Sequence, residues 1–271
     1  MRKEAPVGVF DSGVGGLTVA REIMRQLPNE NLVYFGDTAR VPYGSKSKDT
    51  IIRYSRQIIH FLKTKDVKAI VIACNTASAL ALDVVRKEVD IPIIGVVEPG
   101  ARAALAVTKT KKIGVIGTEA TVKSSIYSRI IKEQDPEATV IGCACPLFVP
   151  LVEEGFAKHK VTEEIIDFYL ASMKETDIDA LILGCTHYPL LRSRIREYMG
   201  DRITLVNPAY EAAMDLKHLL KERKLESDCV SGEHGSYSFY VSDAAEKFMQ
   251  FANSILPYDI ETTKQINIEE Y

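Results

Sequence analysis

AIVIACNTASAL (Ala69–Leu80) and ALILGCTHYPLL (Ala180–Leu191) decide how this chain is read. Each is an apolar run that ends in a small residue and a cysteine. Each then meets a threonine within two residues and enters a helix-forming stretch. A fully apolar run of this length suits a strand buried on both faces of a parallel sheet. Two further pairs flank this one. VGVFDS (Val7–Ser12) matches IGVIGT (Ile113–Thr118), and GVVEPGARAA (Gly95–Ala104) matches TLVNPAYEAA (Thr204–Ala213). The three pairs keep their order and are displaced by 106, 111 and 109 residues. Repetition at a nearly constant displacement points to two related halves.

Outward from these segments, short β-branched runs alternate with helical patterns. Strands are expected at Val7–Phe10, Leu32–Phe35, Ala69–Ala73, Pro92–Val97, Lys112–Ile116, Thr139–Cys143, Asp179–Gly184, Ile203–Val206 and Ser236–Val241. Helical stripes lie between them. Ala20, Ile23, Met24 and Leu27 share one face, as do Ile52, Ser55, Ile59 and Leu62, and a last helix is expected from Asp243 with Ala244, Phe248, Phe251 and Ile255. The fold class is therefore α/β: two pseudo-symmetric Rossmann-like domains with parallel sheets.

Bulk properties narrow the function. A chain of 271 residues with 46% hydrophobic and 26% charged side chains has enough apolar material for one large core or two smaller ones. The net charge of −3 gives no basic field for nucleic acid or an acidic membrane. No apolar run is long enough to span a bilayer, and the short run Ala5–Phe10 is too short for a secretory signal. A cytoplasmic location is expected, in which the five cysteines stay reduced.

Ligands of open α/β sheets bind at the carboxyl ends of the strands. The unusual polar residues gather there: Asp11-Ser12, Cys74-Asn75-Thr76 and Cys185-Thr186-His187. If the halves face one another, Cys74 and Cys185 approach one ligand from opposite sides of a cleft. Two opposed acid/base groups are what racemisation at a carbon centre needs. A thiol, with an ordinary pKa of about 8.5, offers both protonation states near neutrality. Backbone N–H groups following Asn75-Thr76 and Thr186-His187, with the loop Gly13, Gly15 and Gly16, would stabilise charge on a substrate carboxylate. Asp11 is a candidate for the substrate ammonium, and His187 for activating Cys185.

Other readings of the same residues exist. A cysteine at a strand end is commonly only a small core residue. The pair Cys143 and Cys145 reads as core packing, since no C-x-x-C or adjacent histidine completes a metal site. Cys229 carries no signal, and His60, His159, His218 and His234 read as surface or packing residues. The loop DSGVGG lacks both the lysine of a P-loop and the G-x-G-x-x-G spacing. A two-lobed small-molecule binder, or a metal- or redox-sensing protein, remains open at this point.

FDSGVGGLTV (Phe10–Val19), VPYGSKS (Val41–Ser47), CNTASA (Cys74–Ala79), PLVEEG (Pro150–Gly155) and GCTHYPLL (Gly184–Leu191), in this order, resemble the glutamate racemase family. The resemblance implies interconversion of L- and D-glutamate without cofactor or metal, supplying D-glutamate for peptidoglycan. It makes Cys74 and Cys185 the catalytic pair, Cys74 serving the D-isomer and Cys185 the L-isomer. It implies substrate contacts at Asp11, Ser12, Pro42, Tyr43, Gly44, Asn75, Thr76, Thr186 and His187, and a supporting acid at Glu153. Read alone, Pro42-Tyr43-Gly44 is only a turn. The resemblance further implies a homodimer and an active site between two domains, here residues 1–98 with 208–271, and 99–207. Asn207-Pro208 departs from the Asp-Ser that many relatives carry. No N-terminal extension of the kind found in relatives activated by a cell-wall precursor precedes the first strand, so that regulation is not expected. An aspartate or other amino-acid racemase of the same superfamily is the alternative.

Overall fold

The computed structural model describes residues 2–228 and 234–271; Cys229 lies outside them. Among the described residues the strands are β1 (Val7–Asp11), β2 (Leu32–Gly36), β3 (Ala69–Ile72), β4 (Ile93–Gly95), β5 (Lys112–Gly117), β6 (Thr139–Ala144), β7 (Ala180–Gly184), β8 (Thr204–Val206), β9 (Tyr237–Val241) and β10 (Thr263–Gln265). They form a six-stranded sheet, β10-β9-β2-β1-β3-β4, and a four-stranded sheet, β6-β5-β7-β8. Every pairing is parallel. The order β2-β1-β3-β4 recurs as β6-β5-β7-β8, so the two halves share one topology.

The internal repeat is visible in the strand register. Val7 lies opposite Ala69 in the first sheet, and their matched residues Ile113 and Ala180 lie opposite one another in the second. The third matched pair slips. Val97 begins the helix after β4, whereas Pro208 begins the helix after β8, so Pro99 and Pro208 are not equivalent.

β1, β2, β3 and β7 are buried along their whole length, as their continuous apolar runs require. The helix Lys48–Lys63 covers one face of the first sheet. Ser47 caps it through Thr50 N–H, Asp49 lies in its first turn, and Ile51, Ile58, Ile59 and Leu62 are buried. Burying each such side chain contributes about 1.5–3 kcal/mol. Truncating Ile58 to alanine would remove about 2–5 kcal/mol. Gly8 lets this helix approach closely, since a Cβ there would lie 3.2 Å from Leu62 and Val67. Helix Pro208–Glu222 buries Ala209, Ala212, Ala213, Leu216 and Leu220 on the other face of the same sheet. Helix Val97–Val107 instead packs Val97, Ala101 and Ala104 with β5 and β7. No described helix is long and apolar enough to cross a membrane.

Three boundaries differ from expectation. The expected strand Pro92–Val97 stops at Gly95, because Val97 opens a helix that buries its side chain. The last long helix begins at Ala245 rather than Asp243, because Ala244 adopts a left-handed conformation (φ 51°) that cannot continue a helix. β10 has no counterpart in the expected strands, since Thr263-Lys264-Gln265 is a short, largely exposed edge with no apolar alternation.

Candidate active site

Cys74 follows β3, whose end is fixed by Ala73 N–H donating to Phe10 C=O. It caps the helix Asn75–Leu80, its Sγ accepting from Ala77 N–H at 3.5 Å, and its thiol lies 3.7 Å from Ser12 Oγ. Burial pushes this thiol up to about 12, and the nearby Asp11 carboxylate adds to the effect. The Ala77 N–H and Ser12 pull the other way without cancelling it.

Cys185 holds the matching place after β7. The chain beyond it is a 3-10 turn, Tyr188–Leu191, before the α-helix Arg192–Met199. The expected α-helix directly after Thr186-His187 is thus replaced by a tighter turn, in which Tyr188 N–H bonds Cys185 C=O. This turn brings His187 back onto its own cysteine. His187 Nδ1 lies 3.7 Å from Cys185 Sγ, and its Nε2 lies 2.8 Å from Glu153 Oε1. Burial alone would lower the imidazole pKa. The bonds to Cys185 and Glu153 outweigh burial and raise it to about 10. Burial would in turn raise Glu153, but the His187 hydrogen bond and charge hold it below the usual carboxylate range.

The DSGVGG loop crosses from the first sheet to this turn. Thr18 Oγ1 donates toward Thr186 C=O at 2.9 Å and Gly15 C=O at 3.0 Å. A Cβ on Gly15 would lie 2.4 Å from both His187 Cε1 and Thr186 Oγ1, so only glycine permits the approach. Asp11 is fully buried beneath the loop, with Oδ2 accepting from Gly13 N–H at 3.0 Å. Burial pushes its pKa up, against the His187 charge and the loop N–H groups.

Pro42-Tyr43-Gly44 is indeed a turn, entered through a cis Val41–Pro42 peptide, and it is anchored at a distance. Tyr43 OH donates to the buried Asp37, which also binds Arg40 and Ser242. A Cβ on Gly44 would lie 2.9 Å from Thr118 Cβ, which marks another close crossing between the halves.

These elements surround one cavity of about 460 Å³. Ser12, Pro42, Tyr43, Gly44, Cys74, Asn75 and Thr76 line it from the first sheet's side; Glu153, Cys185, Thr186 and His187 line it from the second's. Among the candidates, Asp11, Gly15 and Gly16 do not reach the cavity surface, whereas Gly13 does. Thr118, outside the motifs, also does. It shares a hydroxyl cluster with Thr76 at 2.9 Å and Thr121 at 3.0 Å. The repeat held the signal, since Thr118 is the residue matched to Ser12. Asn75 is fixed from behind by Tyr127 OH at 2.7 Å. Elsewhere, Cys145 is buried and Cys143 partly so, while His60, His159, His218 and His234 are exposed. Among the described residues no three His, Cys, Asp or Glu side chains are grouped to hold a metal ion.

Residues 7–215 match the Asp/Glu/Hydantoin racemase family model. The chain belongs to the Asp/Glu/hydantoin racemase family. A glutamate racemase of Geobacter metallireducens is 46% identical over 263 residues, covering 97% of each chain. A crystal structure of a glutamate racemase isoform from Bacillus anthracis superposes with a TM-score of 0.94, at 39% identity and 98% coverage of both chains. That of the Francisella tularensis glutamate racemase, in complex with D-glutamate, gives a TM-score of 0.91 at 38% identity, covering 99% of this chain and all of that one. The strand-end cavity is thus the candidate active site of a racemase fold.

Proposed function

We propose that this chain is a glutamate racemase that inverts Cα by two-base proton transfer between Cys74 and Cys185. The observation that carries this reading is the presence of both thiols in the wall of one cavity, each reached from a different sheet. Their opposed placement follows from the repeat, since each cysteine ends the equivalent strand of its own half. The units closing on the cavity are residues 1–98 with 208–271, and 99–207. In the L-to-D direction Cys185 thiolate takes the Cα proton, and the electron pair delocalises into the substrate carboxylate. The Cys74 thiol delivers its proton to the opposite face. The product is D-glutamate, with Cys185 now protonated and Cys74 a thiolate.

The two sulfurs suit these roles. Burial keeps Cys74 protonated. His187, held by Glu153 through Nε2, sets its Nδ1 beside Cys185 Sγ. Ser12, Asn75, Thr76, Thr118 and Thr186 supply polar groups for the substrate's carboxylates and ammonium. Asp11 acts from behind the loop, through the charge it places near Cys74. The reading includes a homodimer working in the cytoplasm without a cofactor, on the strength of the motif resemblance.

The test is Cα hydrogen exchange and loss of optical rotation with L- and D-glutamate in D₂O, run alongside aspartate and other amino acids and without added cofactor. Glutamate is expected to exchange and racemise far faster than the others. Cys74→Ser and Cys185→Ser each should lose about 10²–10⁴-fold in turnover, the contribution of a positioned acid or base. Full activity in either variant would remove the two-cysteine assignment.

A further inference from the structure

The pair Cys143 and Cys145 takes no part in the proposed reaction. Cys143 lies near the end of β6, the edge strand of the four-stranded sheet, and Cys145 follows the strand's last residue. Side chains two apart in a strand point to the same face. Here the two sulfurs lie 3.8 Å apart, with the Cys145 thiol directed at Cys143 Sγ. Cys143 is partly exposed, while Cys145 is fully buried. Cys143 is thus the more accessible of the two to a reagent, with Cys145 behind it as a resolving thiol.

We propose that Cys143 and Cys145 form a redox-modifiable dithiol that closes reversibly into an intrachain disulfide when treated with a low-molecular-weight disulfide. Two residues along a strand span about 6.6 Å. That falls at the upper end of the ~4.4–6.8 Å Cα separation that disulfides tolerate. The sulfurs already lie 3.8 Å apart and must approach to bonding distance for the disulfide to close. A ring this small is strained, and strained disulfides are the labile, reversible class.

The order of attack follows from the surroundings. The Cys145 S–H donating to Cys143 favours a thiolate at Cys143 and lowers its pKa, while Cys145 is pushed up by that bond and by burial. The Tyr169 carbonyl, 3.3 Å from Cys143 Sγ, opposes this by favouring the protonated form. Cys143 thiolate attacks one sulfur of the external disulfide, expelling one thiolate and leaving a mixed disulfide. Cys145 then loses its proton and attacks the Cys143 sulfur, expelling the second thiolate. The pair has lost two electrons and two protons; the external disulfide has gained them as two thiols. The Cys145 carbonyl also accepts from Tyr188 OH at 2.8 Å, and the next residue, Pro146, lines the active-site cavity, so the ring forms against that wall.

The experiment uses the full chain and oxidised glutathione, followed by alkylation, trypsin and mass spectrometry. Cleavage at Lys132 and Lys158 releases one peptide that contains these two cysteines and no other. It is expected two hydrogens lighter and unalkylated, and dithiothreitol should restore two alkylatable thiols. Cys145→Ala should stop at the mixed disulfide on Cys143. Cys143→Ala, at a partly exposed position that does not test folding, should leave Cys145 unmodified. A wild-type peptide carrying two alkyl groups, or arrested at the mixed disulfide, overturns the proposal. So does Cys143→Ala if its Cys145 reacts as fast as the wild-type pair.

Discussion

Glu153→Gln removes one charge from the line Cys185–His187–Glu153 and keeps an oxygen in the same place. In the wild type, His187 Nε2 meets Glu153 Oε1 at 2.8 Å, and His187 titrates at about 10. A hydrogen bond to a charged partner is worth about 1.5–3 kcal/mol, and a neutral one about 1 kcal/mol. The Glu153 side chain is 31% exposed, so solvent screening reduces its share toward the lower end. At that lower end the loss is about 0.5 kcal/mol, which moves the His187 titration down by about 0.4 of a pKa unit. The folded value stays above the ordinary imidazole value of about 6.5, so the sign is fixed. The stability contributed by the imidazolium is complete below that ordinary value and is lost as pH rises through about 10 in the wild type. In Glu153→Gln the loss comes about 0.4 of a unit lower. The assay is an NMR titration of imidazole nitrogens, with His187 assigned by its absence in His187→Gln, beside the pH profile of kcat/KM. The alkaline limb of that profile should move down with the His187 titration, and kcat/KM on that limb should fall about twofold, equivalent to the same ~0.5 kcal/mol. A His187 titration that does not move refutes the inference that Glu153 sustains the imidazolium.

Two further outcomes follow from packing. Gly15→Ala places a methyl 2.4 Å from Thr186 Oγ1 and His187 Cε1, so either the loop or the turn must shift. Overpacking of this kind costs about 1–3 kcal/mol, and kcat/KM should fall by about 10²-fold, because displaced catalytic groups lose alignment; unchanged kinetics in a folded variant would mean that the crossing does not position His187. Lys68→Met strands Glu30 in a site where the lysine is 0% and the glutamate 4% exposed. Removing one partner of a buried pair costs about 3–5 kcal/mol, read as the loss in urea unfolding free energy. A cost below about 1 kcal/mol would place the pair among weak surface bridges.

What the sequence disclosed depended on how local the cause was. β1, β3 and β7 are legible because burial on both faces writes itself as an uninterrupted apolar run. The repeat pairs Cys74 with Cys185, and the register of Val7 with Ala69 and Ile113 with Ala180 has the same origin. It also pairs Ser12 with Thr118, and both line the cavity. The turn at Tyr43 was illegible because its anchor is tertiary: Asp37 holds Tyr43 while bound to Ser242, some two hundred residues away. The Glu153–His187 bond is tertiary in the same sense, and only the motif resemblance drew attention to Glu153. Asp11 shows the opposite limit. Its place at a strand end is readable, but its depth is not, because burial there depends on how the glycine loop folds over it.

The repeat also shows where symmetry stops. The displacement that matches Cys74 with Cys185 matches Thr76 with His187. Thr76 turns its hydroxyl to Thr118, away from its cysteine, while His187 turns its ring onto Cys185. This difference of residue type, with Asn75 against Thr186 and Asp11 against Gly117, gives two equivalent sulfurs unequal surroundings. On the two-cysteine reading, this inequality cannot favour one isomer overall. Enantiomers have equal free energies in solution, so the equilibrium constant is unity and kcat/KM is the same in both directions. The asymmetry acts only on how that shared ratio divides between kcat and KM. Glu153→Gln should accordingly lower kcat/KM equally for L- and D-glutamate while shifting kcat and KM by different factors in the two directions. The repeat thus gives the two cysteines equivalent places at their strand ends, and the residues that differ between the halves give them unequal neighbours.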